Sequence, residues 1–251
     1  MELPKSIKKF DSEIEKYALD TIVINAKPLK KGEITEITES KFLGKPYLPL
    51  NIEYPKDKSG KPMIMLAQIN FSEIPKLELY PETGIFQIFI ASEDWYDMED
   101  YKILFHEDID DFQKDFSFIT EDLFSDSPIE CEHKLSFAKK TEFGNPEDFR
   151  FDLTFDGRDL YDFQENLDKK DVNELDEFFN SSGHKIGGYA YFTQSDPRDY
   201  DEKNFNDLLI LQIDTDEKIM FGDSGVANIF INKDDLIEKR FEKAYFNWDC
   251  C

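Results

Sequence analysis

The chain has 251 residues, with 55 acidic residues against 30 lysines and arginines, which gives a formal net charge of −25. This excess of carboxylates argues against nucleic acid or an anionic membrane surface as a partner, because both are bound through lysine and arginine. The 24 phenylalanines and 11 tyrosines can fill a sizeable core, which argues against a disordered acidic tail.

The first half of the chain is predicted to be mainly β. Apolar residues at three- and four-residue spacing, among them Ile7, Phe10 and Ile14, predict an amphipathic helix over 4–19. Four prolines between 42 and 62 exclude a regular helix there. Strands are predicted over 21–24, 33–38, 63–70, 85–91 and 103–105.

The second half contains one helical stretch between further strands. Leu160, Phe163 and Leu167 begin a helical pattern over 160–179, and Gly183 is a plausible stop. A short helix is predicted over 234–237. The predicted strands are 135–138, 151–155, 187–193, 208–214, 226–232 and a closing segment over 241–248. Strands and helices do not alternate, which indicates an α+β protein with mainly antiparallel sheet.

The sequence contains two similar blocks. Leu-Ala-Gln-Ile-Asn at 66–70 is similar to Ile-Leu-Gln-Ile-Asp at 210–214, and the apolar segment 84–90 is similar to 225–231. The order matches and the offset is nearly constant, which favours an internal duplication. We therefore predict a single compact domain over 1–251, built from repeat units at about 40–91 and 184–232. The recurring amides Gln68, Gln87, Gln212 and Asn228 either bond to backbone inside the sheet or face a cleft.

The same segments carry a family resemblance. The segments 44–49, 66–70, 81–87, 187–189, 194–196, 209–214, 222–225 and 246–251 resemble the YwqG family of bacterial proteins. The resemblance covers nearly the whole chain, with Ala190 standing where proline is expected after Gly-Tyr. It implies a roll-like α+β fold in the bacterial cytoplasm and supplies no catalytic residues. It also implies a link to toxin–immunity systems, through the gene neighbourhood of relatives.

The full fold prediction is α+β, mainly antiparallel and roll-like, with two duplicated β units, an N-terminal helix and a helical insertion. The first ten residues lack the apolar core of a signal peptide, and no apolar run is long enough to span a membrane. Cys131, Cys250 and Cys251 do not form a disulfide framework, which indicates a reducing cytoplasm. We expect no cofactor, and the sequence leaves the oligomeric state open.

Several motifs resemble catalytic or metal sites but fit simpler interpretations. Gly222 to Gly225 surrounds Ser224 as in a serine nucleophile motif, yet a tight turn accounts for it better. Cys131 and His133 are too few ligands for zinc, and the acidic stretch 196–202 lacks the glycine and distal glutamate of a calcium loop. We therefore name no catalytic residue and no metal ligand, and favour a protein that is not an enzyme.

Two functions from different classes remain. The first is a cytoplasmic binding protein that recognises a basic protein partner, as an immunity protein or inhibitor would, through the acids and aromatics of 93–126. Its predicted contacts are Trp95, Tyr96, Asp97, Glu99 and Tyr101. The second is a small-molecule binder or unrecognised hydrolase that uses a cleft between the repeats. Its predicted ligand-binding residues are Gln68, Gln194, Asp196, Gln212 and Asp223.

Overall fold

The computed structural model describes residues 3–251, and these residues form one ten-stranded antiparallel sheet. In chain order the strands are β1 Leu19–Pro28, β2 Lys41–Phe42, β3 Ile64–Asn70, β4 Ile85–Ile90, β5 Tyr101–His106, β6 His133–Glu142, β7 Lys185–Gly187, β8 Asp207–Ile213, β9 Val226–Asn232 and β10 Tyr245–Asp249. Their order in the sheet is β10-β9-β8-β7-β1-β6-β2-β3-β4-β5. The prediction of a mainly antiparallel β architecture is confirmed.

The sheet curls into a nearly closed barrel, because its two edge strands approach each other. Side chains join β5 to β10: the rings of Tyr101 and Phe246 lie 6.1 Å apart, and the Tyr101 hydroxyl donates to the Ala244 carbonyl at 3.5 Å. The main hydrophobic core lies inside this curved sheet, where β3, β4 and β9 are buried along almost their whole length. Because these three strands are buried on both faces, each is a nearly continuous apolar run in the sequence.

The helical segments are short, and three of the four α-helices contribute side chains to a second core. They are α1 Asp11–Ile14, α2 Leu160–Gln164, α3 Lys169–Phe178 and α4 Lys233–Ile237. The predicted helix over 160–179 is two helices, because the Asp168 carboxylate accepts from the Asp171 amide at 2.9 Å and so begins a new helix. Together with the N-terminal segment they bury a second, smaller core that includes Ile7, Ile14 and Phe155.

The N-terminal segment is predicted as one α-helix, but most of it is 3₁₀ helix. Lys5–Phe10 and Glu15–Tyr17 are 3₁₀ turns on either side of α1, and β1 starts at Leu19. The predicted apolar face is nevertheless used, since Ile7 and Ile14 are buried in the second core. Packing of a few apolar side chains is enough to hold such short turns in place, although 3₁₀ geometry rarely extends further.

Three predicted strands are wrong or too long. Residues 33–38 form a loop, in which the Thr35 amide and hydroxyl both donate to one oxygen of Glu132. Residues 151–155 lack a strand apart from a single bridge between Phe155 and Arg158. The strand predicted over 187–193 ends at Gly187, because Gly187 and Gly188 both have positive φ angles, of 71° and 74°.

The sheet has corresponding strands on either side of its central pair, β1 and β6. Moving outward, β7, β8, β9 and β10 on one side correspond to β2, β3, β4 and β5 on the other. Both β3 and β8 contain a register shift, between Met65 and Ala67 and between Leu209 and Leu211. The predicted repeat units lie on these two flanks, and their origin by duplication stays a prediction.

None of the helices in residues 3–251 is both long and apolar enough to cross a bilayer.

Candidate functional site

The predicted partner-binding residues lie where the barrel closes. Trp95 packs against Trp248 with ring centroids 5.0 Å apart, and the Trp248 indole N–H donates to the Tyr96 carbonyl at 3.1 Å. Trp95 also meets the ring of Phe221, and Tyr101 is half-buried against Phe246. The larger aromatics of the predicted set therefore have a structural role in holding β5 next to β10.

The remaining predicted contacts are accessible but partly neutralised. The Tyr96 side chain is 55% exposed, and Glu99 is exposed beside it. Lys58 lies 3.2 Å from Asp97 and 4.0 Å from Glu99. Because a lysine already balances these carboxylates, the 94–100 loop presents less free negative charge than its sequence indicates.

The stretch that follows carries acids without such partners. Within residues 93–126 there are thirteen acids and two lysines. Of the acids in 107–126, only Glu107 and Glu121 have a lysine within 4.0 Å among residues 3–251. Asp108, Asp110 and Asp111 are exposed and have no such lysine, and we call these three residues the acidic face. The contacts predicted from the sequence lie in the aromatic-rich part before this stretch, at 95–101.

The acidic face is held in place by a buried tyrosine. The Tyr47 hydroxyl accepts from the Asp110 amide at 2.9 Å, and the Gln113 amide donates to the Leu48 carbonyl at 2.9 Å. The Tyr47 side chain is fully buried, so its hydroxyl is a fixed point below the surface. The segment 108–113 is thus an ordered loop laid along the proline-rich segment 46–62.

An apolar groove lies beside the acidic face. It has a volume of about 560 Å³ and is lined by Leu50, Ile52, Tyr54 and Phe118 among others. Leu50 is 67% exposed and Phe118 is 43% exposed, although both are large apolar side chains. The Leu50 amide donates to the Asp111 carbonyl at 3.3 Å, so the groove and the acidic face share a border.

Two of the five predicted ligand-binding residues are buried amides with a full set of backbone partners. Gln68 accepts from the Tyr47 amide at 2.8 Å and donates to the carbonyls of Ile37 and Glu39. Gln212 repeats this pattern with the Tyr191 amide and with two carbonyls, those of Ser181 and Gly183. Both amides have no exposed surface. The structural alternative for these side chains therefore accounts for all their polar atoms.

Asp196 belongs to a buried ionic cluster. Its carboxylate contacts Arg198 at 2.7 Å, and Arg198 also contacts Asp148 at 2.8 Å. Arg150 completes the cluster at 2.7 Å from Asp148. Burial alone would raise the pKa of Asp148, but the two guanidinium groups hold it below its ordinary value. The charges balance within the cluster, which fits a structural role for Asp196.

The last two predicted ligand-binding residues meet at the C-terminal segment. The Gln194 side chain donates to the Cys250 carbonyl at 2.5 Å, and the Asp223 carbonyl accepts from the Cys251 amide at 3.4 Å. Asp223 lies in a turn at 222–224, where Ser224 has a positive φ of 55°. The structure therefore separates the predicted set into three places, and none of its members lines the cavities described here.

A separate cavity opens at the junction of the two repeat units. It has a volume of about 310 Å³, and its wall includes Leu77, Leu79 and Tyr80 from the first unit with Gly188 and Leu209 from the second. The Tyr80 hydroxyl donates to the Leu209 carbonyl at 2.7 Å and so joins the two units. No sequence signal marks this cavity, because its lining residues come from separate parts of the chain.

The three histidines have structural surroundings. The His184 ring accepts from the Asp214 amide at 3.0 Å, and its other nitrogen lies 3.2 Å from Asp216. Burial lowers the pKa of His106 and His133. Within residues 3–251, no group of three or more His, Cys, Asp or Glu side chains is arranged to hold a metal ion.

Comparison with known proteins gives one finding. The model of a family described as a domain of unknown function, DUF1963, matches residues 40–250. No curated protein matches the chain. The matched range includes the acidic face, the apolar groove and both repeat units.

Proposed function

The chain belongs to the DUF1963 family, a domain of unknown function, and on this premise we propose a non-enzymatic binding protein that recognises a basic protein partner. The acidic face supplies the charge and the neighbouring apolar groove supplies the anchor site. An immunity-like or inhibitor-like role in the cytoplasm of a bacterium fits such a protein, as does membership of the YwqG branch. Duplication of one β unit accounts for the paired amide networks of Gln68 and Gln212.

One observation carries this proposal: unpaired carboxylates border an exposed apolar groove. Asp108, Asp110 and Asp111 have no cation within 4.0 Å among the described residues, whereas Asp97 and Glu99 share Lys58. Exposed carboxylates increase the rate of encounter with a basic surface. Stable complexes also need apolar or aromatic anchors in a pocket, and the groove can take one such side chain.

The residues predicted from the sequence as partner contacts have a secondary role in this proposal. The hairpin bridged by Lys56 and Pro62 borders the groove, and Lys58 of the same hairpin touches Asp97. Tyr96 and Glu99 lie in the loop that Lys58 contacts and do not line the groove. We expect them at the rim of the interface, where contacts contribute little affinity, and expect Trp95 and Tyr101 to keep the barrel closed.

The test compares two variants that change the net charge equally. The first carries Asp108→Asn, Asp110→Asn and Asp111→Asn, three exposed side chains that accept no hydrogen bond within residues 3–251. The control carries Glu165→Gln, Glu177→Gln and Asp199→Asn, which are exposed elsewhere. Each protein is immobilised and exposed to lysate of the host, and proteins retained at low and at moderate salt are identified by mass spectrometry.

We expect the wild type and the control to retain the same basic protein through the moderate-salt wash, and the first variant to lose it. Attraction between exposed charges is screened over about 10 Å at 0.1 M salt, so retention at moderate salt requires the anchor as well. Equal retention by both variants would refute the role of the acidic face. Retention of nothing beyond a salt-sensitive mixture would refute a specific basic partner.

A further inference from the structure

The junction cavity remains open although the residues around it are tightly fitted. A Cβ atom at Gly187 would lie 2.7 Å from the Leu77 side chain, and one at Gly188 would lie 2.5 Å from Glu142. Only glycine allows the backbone to approach so closely. The cavity opens to solvent beside the exposed Glu78 and Leu79, so its volume of about 310 Å³ can be reached by a small molecule from outside.

The leucine at the wall of the cavity has an unfavourable backbone conformation. Leu79 is the third residue of the turn 77–80, and its φ of 73° is one that favours glycine. A leucine there is strained, and its side chain is 38% exposed. Strained residues of this kind cluster at ligand-contacting sites, where the side chain has a use that offsets the strain.

An arginine at the same cavity has N–H donors that are available to a ligand. Arg150 lines the cavity and uses Nε and Nη2 to hold Asp148 and the Gly188 carbonyl. Its Nη1 has no hydrogen-bond partner among residues 3–251. Because Asp148 already balances the charge, what Arg150 can offer to a ligand is a pair of N–H donors rather than a net positive charge.

The acceptors at the cavity are carboxylates. Asp20 lines it while paired with Lys139 at 2.8 Å, and the exposed Glu78 lines it as well. An anionic ligand would meet the exposed Glu78 and a protein of net charge −25. A cation has no lone pair to accept from Arg150 and would place its charge against the guanidinium. A ligand that fits is therefore uncharged, with an oxygen to accept from Arg150 and a polar hydrogen to donate to a carboxylate.

From the strained Leu79, the free Arg150 Nη1 and the open volume between the two units, we propose that the junction cavity binds a small uncharged aliphatic carboxamide. The amide oxygen accepts from Arg150, and the amide N–H₂ donates to Asp20 or Glu78. The aliphatic chain lies against Leu77, Leu79 and Leu209. The site is independent of the acidic face, so it adds a second binding activity to the one proposed above.

Hexanamide is a suitable probe, and hexanoate is its charged counterpart of the same shape. In the full-length protein labelled at leucine methyl groups, NMR titration with hexanamide should shift the signals of Leu77, Leu79 and Leu209 and leave those of Leu50 in place. With about eight non-hydrogen atoms, the expected dissociation constant is about 1 mM. Hexanoate should bind at least about tenfold more weakly, because the exposed Glu78 and the net negative charge of the protein repel it.

Two variants separate the cavity from the rest of the surface. Leu79→Trp places a larger side chain at the cavity and should weaken hexanamide binding by at least about tenfold. Leu50→Trp makes the same change at the apolar groove and should leave binding unchanged. Both side chains are partly exposed, so neither change threatens the core. Absence of leucine shifts up to about 50 mM hexanamide, equal binding of hexanoate, or unchanged binding by Leu79→Trp would overturn the proposal.

Discussion

The buried amide of Gln68 allows a sharp test of how the acidic face is built. Gln68→Met keeps the length and volume of the side chain but removes both of its polar atoms. Four groups then lose a hydrogen bond: the Tyr47 amide, the Gln87 side-chain amide and the carbonyls of Ile37 and Glu39, which lie at 2.7 to 2.8 Å from Gln68.

The expected loss follows from the number of hydrogen bonds removed. A buried hydrogen bond contributes about 1 kcal/mol, so the loss of four in Gln68→Met should lower the free energy of unfolding by about 4 kcal/mol. Gln212→Met is the matched control from the second repeat unit. It leaves three groups unpaired, because the shorter Asn228 donates to the Tyr191 carbonyl and lacks a bond to Gln212. We expect a loss of about 3 kcal/mol there.

Urea unfolding followed by far-ultraviolet circular dichroism measures both losses. Amide hydrogen exchange then gives the local readout. Exchange at Tyr47 and Asp110 should accelerate in Gln68→Met and stay slow in Gln212→Met. The reason is that Gln68, and not Gln212, accepts from the amide of Tyr47, whose hydroxyl accepts from the Asp110 amide. A loss below about 1 kcal/mol in Gln68→Met, or equal exchange at Asp110 in both variants, would refute this account of the anchored acidic face.

Two further predictions concern buried charges. Burial lowers the pKa of Lys41 to about 8, below its ordinary 10.5, while its ammonium donates to the carbonyls of Glu36 and Lys45. Between pH 8 and 10.5 the unfolded chain binds more protons than the folded one, so stability rises with pH. The free energy of unfolding of the wild type relative to Lys41→Met should therefore increase by about 3 kcal/mol from pH 7 to 11. Parallel plots of unfolding free energy against pH for the two proteins would contradict this. Arg198→Met leaves Asp148 and Asp196 with Arg150 as their remaining cation in the cluster and should cost about 3–5 kcal/mol in urea unfolding. The control Lys203→Met removes an exposed lysine and should leave the unfolding curve unchanged. A loss for Arg198→Met no larger than that of the control would show that the cluster contributes little.

The sequence predicts the sheet well where burial is continuous and poorly where long-range contacts decide the conformation. The prediction for 226–232 coincides with β9, and those for 63–70 and 85–91 agree with β3 and β4 within a residue, because all three strands are buried on both faces. By contrast, the loop at 33–38 is fixed by Glu132 and Gln68, both far away in the chain. A local pattern contains no information about such partners.

The same limit applies to the candidate sites. The density of acids drew attention to 93–126, but only the folded chain shows that Asp97 and Glu99 share Lys58. Trp95 and Tyr101 fit an exposed anchor by composition, and the curvature of the sheet brings them against β10 instead. The junction cavity depends on Leu79, Arg150 and Leu209 coming together, which only the folded sheet determines.

The closure of the barrel also determines the optical properties of the molecule. The chain has two tryptophans, and Trp95 and Trp248 form one contact between the edges of the sheet. Intrinsic tryptophan fluorescence therefore reports on the surroundings of this one contact, which include Phe221. At a centroid separation of 5.0 Å the two indoles also couple electronically, so a paired signal in near-ultraviolet circular dichroism should appear when the edges meet and vanish when they part. Separation of β5 from β10 can thus be followed in the unlabelled protein.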